Sequence, residues 1–450
     1  MIKRRTMKQI LFLFAAAGLL MPSAFGGEPV VGLSAAYHRA LDYDARLQAA
    51  KADNAAQQEE VGKARSYFRP SVQASAKRGR NATESTTQGF FGPVDEEFFY
   101  NTKNYSISVR QPVFNAVNLA RYSQSKAVAA KSDAELESEQ SQMIIRIAEV
   151  YFNLLYAEDN VAFSGARLVA VKEQLEQAER RYRSGFGTIT EVNEAEAERD
   201  MASAEQLEAL NALSRSRREM QNITGLYPDA LRKLVPEKLV LDIPGPQNVE
   251  EWIALSQENN QAVEAARQEI RIAAKEVDKN RYARVPTLDL VAARTWTESD
   301  YDFAIGSKYD TYSLAAQLTV PIYTGGFTSA SVRQAKAKRI AAFERFNLQE
   351  REALANVRLY FERLAAAIAQ IRAYEQAVRS SEIALTGTRK GYGAGLRSNV
   401  DVLNAQEKLY LSRRNLAKSR YQFILNRLML KDAAGMLDES EVYEINSWLD

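Results

Sequence analysis

Two stretches decide the fold: Tyr182-Arg-Ser-Gly-Phe-Gly-Thr-Ile-Thr-Glu-Val-Asn-Glu-Ala-Glu196 and Gly391-Tyr-Gly-Ala-Gly-Leu-Arg-Ser-Asn-Val-Asp-Val-Leu-Asn-Ala-Gln-Glu-Lys-Leu-Tyr410. Tyr182-Arg-Ser-Gly185 matches Tyr392-Gly-Ala-Gly395, and Thr190-Glu191-Val192 matches Val400-Asp401-Val402. The correspondence extends outward. Glu60-Val61-Gly62-Lys63 matches Glu276-Val277-Asp278-Lys279, Pro70 matches Pro286, and Tyr151-Phe152 matches Tyr360-Phe361. Gly225 and Gly435 close the two copies. One duplication of about 200 residues means two similar units side by side, not a solenoid of short repeats.

Proline marks the limits of each unit. Pro70, Pro112, Pro286 and Pro321 stand where the residue period changes, and a cluster from Pro228 to Pro246 separates the copies. Residues 113–227 and 322–450 contain no proline, so long helices are allowed there. Met143, Ile147, Val150, Leu154, Ala157, Val161, Ser164, Leu168, Val171, Leu175, Ala178 and Tyr182 keep alternating steps of four and three, with only Ser164 polar. Leu354, Val357, Phe361, Leu364, Ile368 and Ile371 keep the same step, continuing through Val378 and Leu385 with Glu375 and Glu382 as exceptions. This predicts long helices over about 115–184 and 323–392, with shorter ones over about 33–68 and 189–223. The two seams lie on different faces, as in the wall of a helical barrel.

Between the matched prolines the period becomes two. Tyr312, Leu314, Ala316, Leu318 and Val320 alternate with Thr311, Ser313, Ala315, Gln317 and Thr319; Tyr105, Ile107 and Val109 alternate with Asn104, Ser106, Ser108 and Arg110. Strands are expected at about 70–80, 103–112, 286–297 and 310–321, of a length and pattern that suit a transmembrane barrel. Phe90, Phe91, Phe98, Phe99 and Tyr100 in one connection, and Trp296, Tyr301 and Phe303 in the other, fit interfacial aromatics. Four strands leave open edges, which lipid does not tolerate, so copies must combine into eight, twelve or sixteen strands.

Composition narrows the function. Of 450 residues 46% are hydrophobic and the net charge is +2. Nothing in that balance calls for nucleic acid. There is no cysteine and only one histidine, His38, which excludes disulfides, thiolate chemistry and multi-histidine metal sites. Lys3, Arg4, Arg5 and Lys8, the apolar run Ile10–Leu20 and small residues at Ala24 and Gly26 read as a secretory signal over residues 1–26. The domains expected are this signal, a first repeat over 27–227, a linker over 228–248, a second repeat over 249–435 and a tail over 436–450.

The signal, the duplicated helix–hairpin–helix unit and the tract Gly391–Tyr410 with its weaker counterpart Tyr182–Glu196 together resemble the TolC family of outer-membrane channels. The resemblance covers essentially the whole mature chain. It implies an α+β membrane protein: a homotrimer with a 12-stranded transmembrane β-barrel, continued by a 12-helix periplasmic α-barrel with coiled-coil ends. It implies a passive exit duct in the outer membrane, serving a tripartite efflux pump, a type I secretion system or both. The partners implied are a periplasmic adaptor (membrane fusion protein), an inner-membrane transporter of ABC, RND or MFS type, and outer-membrane lipid. No cofactor and no enzyme activity are expected. The chain lacks the lipidated cysteine of many relatives and is similar to the non-lipidated branch.

The resemblance also implies an entrance gate. Its links would be Thr190, Glu191, Tyr392 and Arg397, with Glu191 and Arg397 pairing between chains and Thr190 and Tyr392 within one. Below it a constriction ring would hold Asp401 and, where the family pattern has a second aspartate, Asn404. The alternative is a periplasmic coiled-coil adaptor or structural protein without a pore. It explains the helices but not four alternating strands bounded by prolines.

Overall fold

The computed structural model describes residues 30–300 and 306–450; the signal expected over 1–26 lies outside the described residues. Each repeat runs helix, helix, β-hairpin, long helix, shorter helix. The first holds α1 (Leu33–Tyr43), α2 (Ala45–Ser66), β1 (Ser71–Gly89), β2 (Gly92–Phe114), α3 (Ala116–Arg183) and α4 (Ile189–Thr224). The second holds α5 (Val249–Asn259), α6 (Gln261–Tyr282), β3 (Thr287–Ser299), β4 (Ser307–Thr319), α7 (Phe327–Gly393) and α8 (Asn399–Ala433), followed by α9 (Glu439–Asn446).

The single helix expected over 33–68 is broken. Asp44 leaves the helical region, accepts from Arg46 N (2.8 Å) to cap α2, and pairs with Arg146 on α3 (2.7 Å). Asn260 does the same in the second copy, capping α6 through Val263 N (3.1 Å) and donating to the Ala433 carbonyl (3.0 Å). Short polar side chains compete with helical backbone bonds, and here each also bonds another part of the chain.

At ~1.5 Å per residue, α3 and α7 are each about 100 Å long, while α4 and α8 are each about half that. On one side of α3 lie α2 and α4, and on the other α6 and α8, which also flank α7. The first heptad seam is largely buried: Met143, Ile147, Leu154, Ser164, Val171 and Ala178 are each at most 4% exposed. Glu375 and Glu382, the exceptions in the second seam, are neutralised from α8 by Arg420 (2.9 Å) and Arg413 (2.7 Å). Around mid-length α1, α5 and α9 pack on the wall over the main core. There Tyr151, Phe152, Leu154, Trp252, Phe423 and Leu428 are buried, each contributing about 1.5–3 kcal/mol.

The strands form one antiparallel sheet in the order β1-β2-β3-β4, so β1 and β4 are its edges. Register places Val72, Val109, Ala292 and Leu314 in one row, and Ala74, Ile107, Arg294 and Tyr312 in the next on the same face. The other face carries Ser75, Ser106, Thr295 and Thr311. The first hairpin runs well beyond the ten-residue strands expected, pairing through Gly89↔Gly92, whereas β3 leaves β2 at Ser299. Residues 81–101 therefore project as a two-stranded ribbon, tipped by fully exposed Phe90 and Phe91.

Candidate functional site at the helix turns

Far from the sheet, α3 turns into α4 and α7 turns into α8 by one shared device. Gly185 (φ 78°) and Gly395 (φ 74°) supply the left-handed residue that lets each long helix end. Phe186 N then bonds the Arg181 carbonyl (2.9 Å), as Leu396 N bonds Gly391 (2.8 Å). The next helix opens with a capping box in each copy. Glu191 N bonds Thr188 Oγ1 (3.2 Å), and Thr188 N bonds the Glu191 carboxylate (3.4 Å). Asp401 N bonds Ser398 Oγ (3.1 Å), and Ser398 N bonds the Asp401 carboxylate (2.9 Å). Glu191 and Asp401 thus hold equivalent N3 positions. The Ser398 bonds hold the Asp401 carboxyl below its ordinary range.

The other residues expected from the resemblance take varied places. Thr190 is exposed in the first turn of α4, and Arg397 is exposed in the α7–α8 turn with its Cγ lying over Gly391. Within one chain, among the described residues, no ion pair involves Arg397. Asp401 and Asn404 stand three residues apart and so share one side of α8. The Thr190–Tyr392 hydrogen bond is not formed. Tyr392 is buried with the Arg181 guanidinium 4.8 Å above its ring, and its hydroxyl has no hydrogen-bond partner among the described residues. Burial pushes the hydroxyl pKa up; Arg181 opposes this and the Glu191 charge adds to it.

Two residues absent from the sequence reading complete the site. Asn399 is wholly buried: it accepts from Gln174 of α3 and donates to the Glu191 carbonyl at the head of α4 (3.2 Å). It fastens the start of α8 to both helices of the other hairpin. Val171, Leu175, Ala178, Ala195 and Leu403 pack beside it. Higher up, Arg167 is buried between Glu198 (3.0 Å) and Glu205, with Tyr410 5.4 Å from its guanidinium. The only signals in the sequence are an amide beside the seam residue Leu175 for Gln174 and a place inside the matched tract for Asn399, and each by itself is ordinary surface polarity.

The pattern of outer membrane efflux proteins matches this chain over residues 36–226 and 252–436, which is most of both repeats. The chain belongs to the outer membrane efflux protein family. It is 30% identical over 444 residues to the alkaline protease secretion protein AprF of Pseudomonas aeruginosa, covering 97% of this chain and 91% of that one. It is 30% identical over 447 residues to the outer membrane protein TolC of Vibrio cholerae, covering 98% and 99%. Among solved structures, the fold is similar to VceC of Vibrio cholerae (TM-score 0.75, 22% identity, 90% of this chain and 96% of that one). It is similar too to the CmeC channel of Campylobacter jejuni (TM-score 0.77, 16% identity, 93% and 90%). This member of the efflux protein family is an outer-membrane channel, a passive exit duct with a periplasmic helical part and no catalytic role.

Proposed function

We propose that three copies close into a 12-stranded barrel continued by a 12-helix tunnel. The observation that carries this is a shared pair of open sides. Among the described residues β1 and β4 each pair on one edge only, and α7, packed by α5, α6 and α8, leaves Ile340, Phe343, Leu348 and Ile383 exposed. The sheet's apolar face suits lipid, where an unpaired strand edge costs several kcal/mol per group. The family supplies the number three. Mass measurement of the detergent-solubilised particle tests it: a trimer is expected, and a monomer overturns the reading.

The domain reading proposed is a signal over 1–26, repeats over 27–227 and 249–435, a linker over 228–248 and a tail over 436–450. The helix turns form the entrance of the duct, where a periplasmic adaptor and an inner-membrane transporter of ABC, RND or MFS type dock. Arg397 is exposed and forms no salt bridge among the described residues, acting on Asp401 only at longer range, which supports a link to Glu191 of the neighbouring copy, with Thr190 beside it. Tyr392 acts as the buried anchor under Arg181 that sets the turn's position. Asp401 and Asn404 then form a constriction with one carboxylate per copy. Relatives named for protease secretion (AprF; PrtF of Dickeya chrysanthemi) support secretion as a use of this duct. The efflux protein BepC of Brucella suis supports efflux.

A further inference from the structure

The apolar face of the sheet ends in a narrow basic band. Beyond the rows already described come Ala76, Tyr105, Trp296 and Asp310, with the Tyr105 and Trp296 rings 5.4 Å apart. Such aromatics mark the boundary between hydrocarbon and headgroups. The next row on that face is Arg78, Lys103, Glu298 and Lys308, and Arg80 follows on β1. Glu298 is shared by Lys103 (3.4 Å) and Lys308 (3.5 Å), so one carboxylate faces two ammonium groups. Arg78 lies directly opposite Lys103, and like charges so placed repel. Among the described residues neither Arg78 nor Arg80 forms an ion pair, and both are exposed. Positive charge in excess of its partners is confined to this height, since Arg294, lower on the same face, is paired with Asp310 (2.8 Å). Farther along the ribbon the same face turns acidic, with Glu84 opposite Glu97 and then Asp95.

We propose that Arg78, Arg80 and Lys103 bind the phosphate groups of outer-leaflet glycolipid, an inference that rests on the sheet being part of a membrane barrel. Cations that outnumber their one carboxylate, Glu298, immediately outside an aromatic girdle sit at headgroup depth, and guanidinium forks bond phosphate oxygens in pairs. An anion at this place relieves the Arg78–Lys103 repulsion that the chain alone leaves standing.

The test uses the purified, detergent-solubilised protein with diphosphorylated lipid A, its dephosphorylated form, or inorganic phosphate as probe, read by native mass spectrometry. Wild type should retain the diphosphorylated lipid and not the dephosphorylated one, with inorganic phosphate binding weakly. The triple change Arg78→Gln, Arg80→Gln, Lys103→Gln should weaken lipid retention by about tenfold or more without altering oligomer mass. Lys77→Gln, on the opposite face, should leave retention unchanged. Equal retention by the triple variant, or of the dephosphorylated lipid, would overturn the proposal. Loss of the oligomer in the triple variant alone would overturn it too, by making the band a seam between copies. A wild-type monomer would refute the barrel reading itself.

Discussion

Replacing Asn399 by Ala should loosen the helix turns more than any surface change nearby. Asn399 is fully buried and Gln174, its partner, is 5% exposed. The substitution leaves the Gln174 amide without its acceptor and the Glu191 carbonyl without its donor. A buried polar group deprived of its partner costs about 1–3 kcal/mol. Water reaching the turn reduces the carbonyl's share, so about 2 kcal/mol per copy is expected, roughly a thirtyfold rise in local opening. Hydrogen exchange of backbone amides in 170–180, 189–195 and 399–406 measures that opening directly. Amides around Tyr151 and Phe423, in the main core, should be unaffected. The double change Gln174→Leu with Asn399→Leu removes both partners and should recover at least half of the loss. Single and double variants with additive costs would refute the reasoning, since the two amides would then not depend on each other. So would a single variant with unchanged exchange.

Tyr392→Phe should be neutral to stability within about 0.5 kcal/mol, because the hydroxyl it removes has no partner among the described residues; higher single-channel conductance from that variant would show that the hydroxyl bonds a neighbouring copy. Arg397→Ser should raise resting conductance with the trimer intact, and unchanged conductance would remove Arg397 from the gate. Asn404→Asp should strengthen divalent-cation block of current by adding a second carboxylate beside Asp401; unchanged block would mean the two positions do not share a constriction. Asp432, half-buried on α8 with Gln142 bonded to it (2.8 Å), has its pKa pushed up to about 6 by desolvation. A raised carboxyl favours the folded state below its ordinary value, and that contribution is lost as pH rises from about 4 to 6. Melting curves of Asp432→Asn should therefore show greater stability than wild type at pH 7, by about 2–3 kcal/mol, and a smaller gap at pH 4.

The sequence by itself determined the repeat, the long helices and the alternation of the strands, because each rests on a local period. Met143 to Tyr182 step through a heptad whatever surrounds them, and Tyr312 to Val320 alternate two by two. The matched Gly185 and Gly395 stood out in the sequence, and the caps that the structure adds at Thr188–Glu191 and Ser398–Asp401 are equally local, every partner lying within a few residues. Tertiary structure decided the rest. Asp44 and Asn260 break helices whose pattern continues past them, since their other partners, Arg146 and the Ala433 carbonyl, lie more than a hundred residues away. Residues 81–101 read as loop because Asn, Thr and Glu there have no apolar alternation, yet cross-strand pairing begun below them carries on to the tip. Glu375 and Glu382 interrupt a seam until Arg420 and Arg413 are seen opposite. At the helix turns, Tyr392 and Glu191 could be named from the family resemblance, but not that Tyr392 would lie under Arg181 with its hydroxyl unpaired among the described residues. Nor could the sequence show that Asn399 would bind two helices at once, because a buried amide finds its partners only when packing brings distant backbones within about 3 Å.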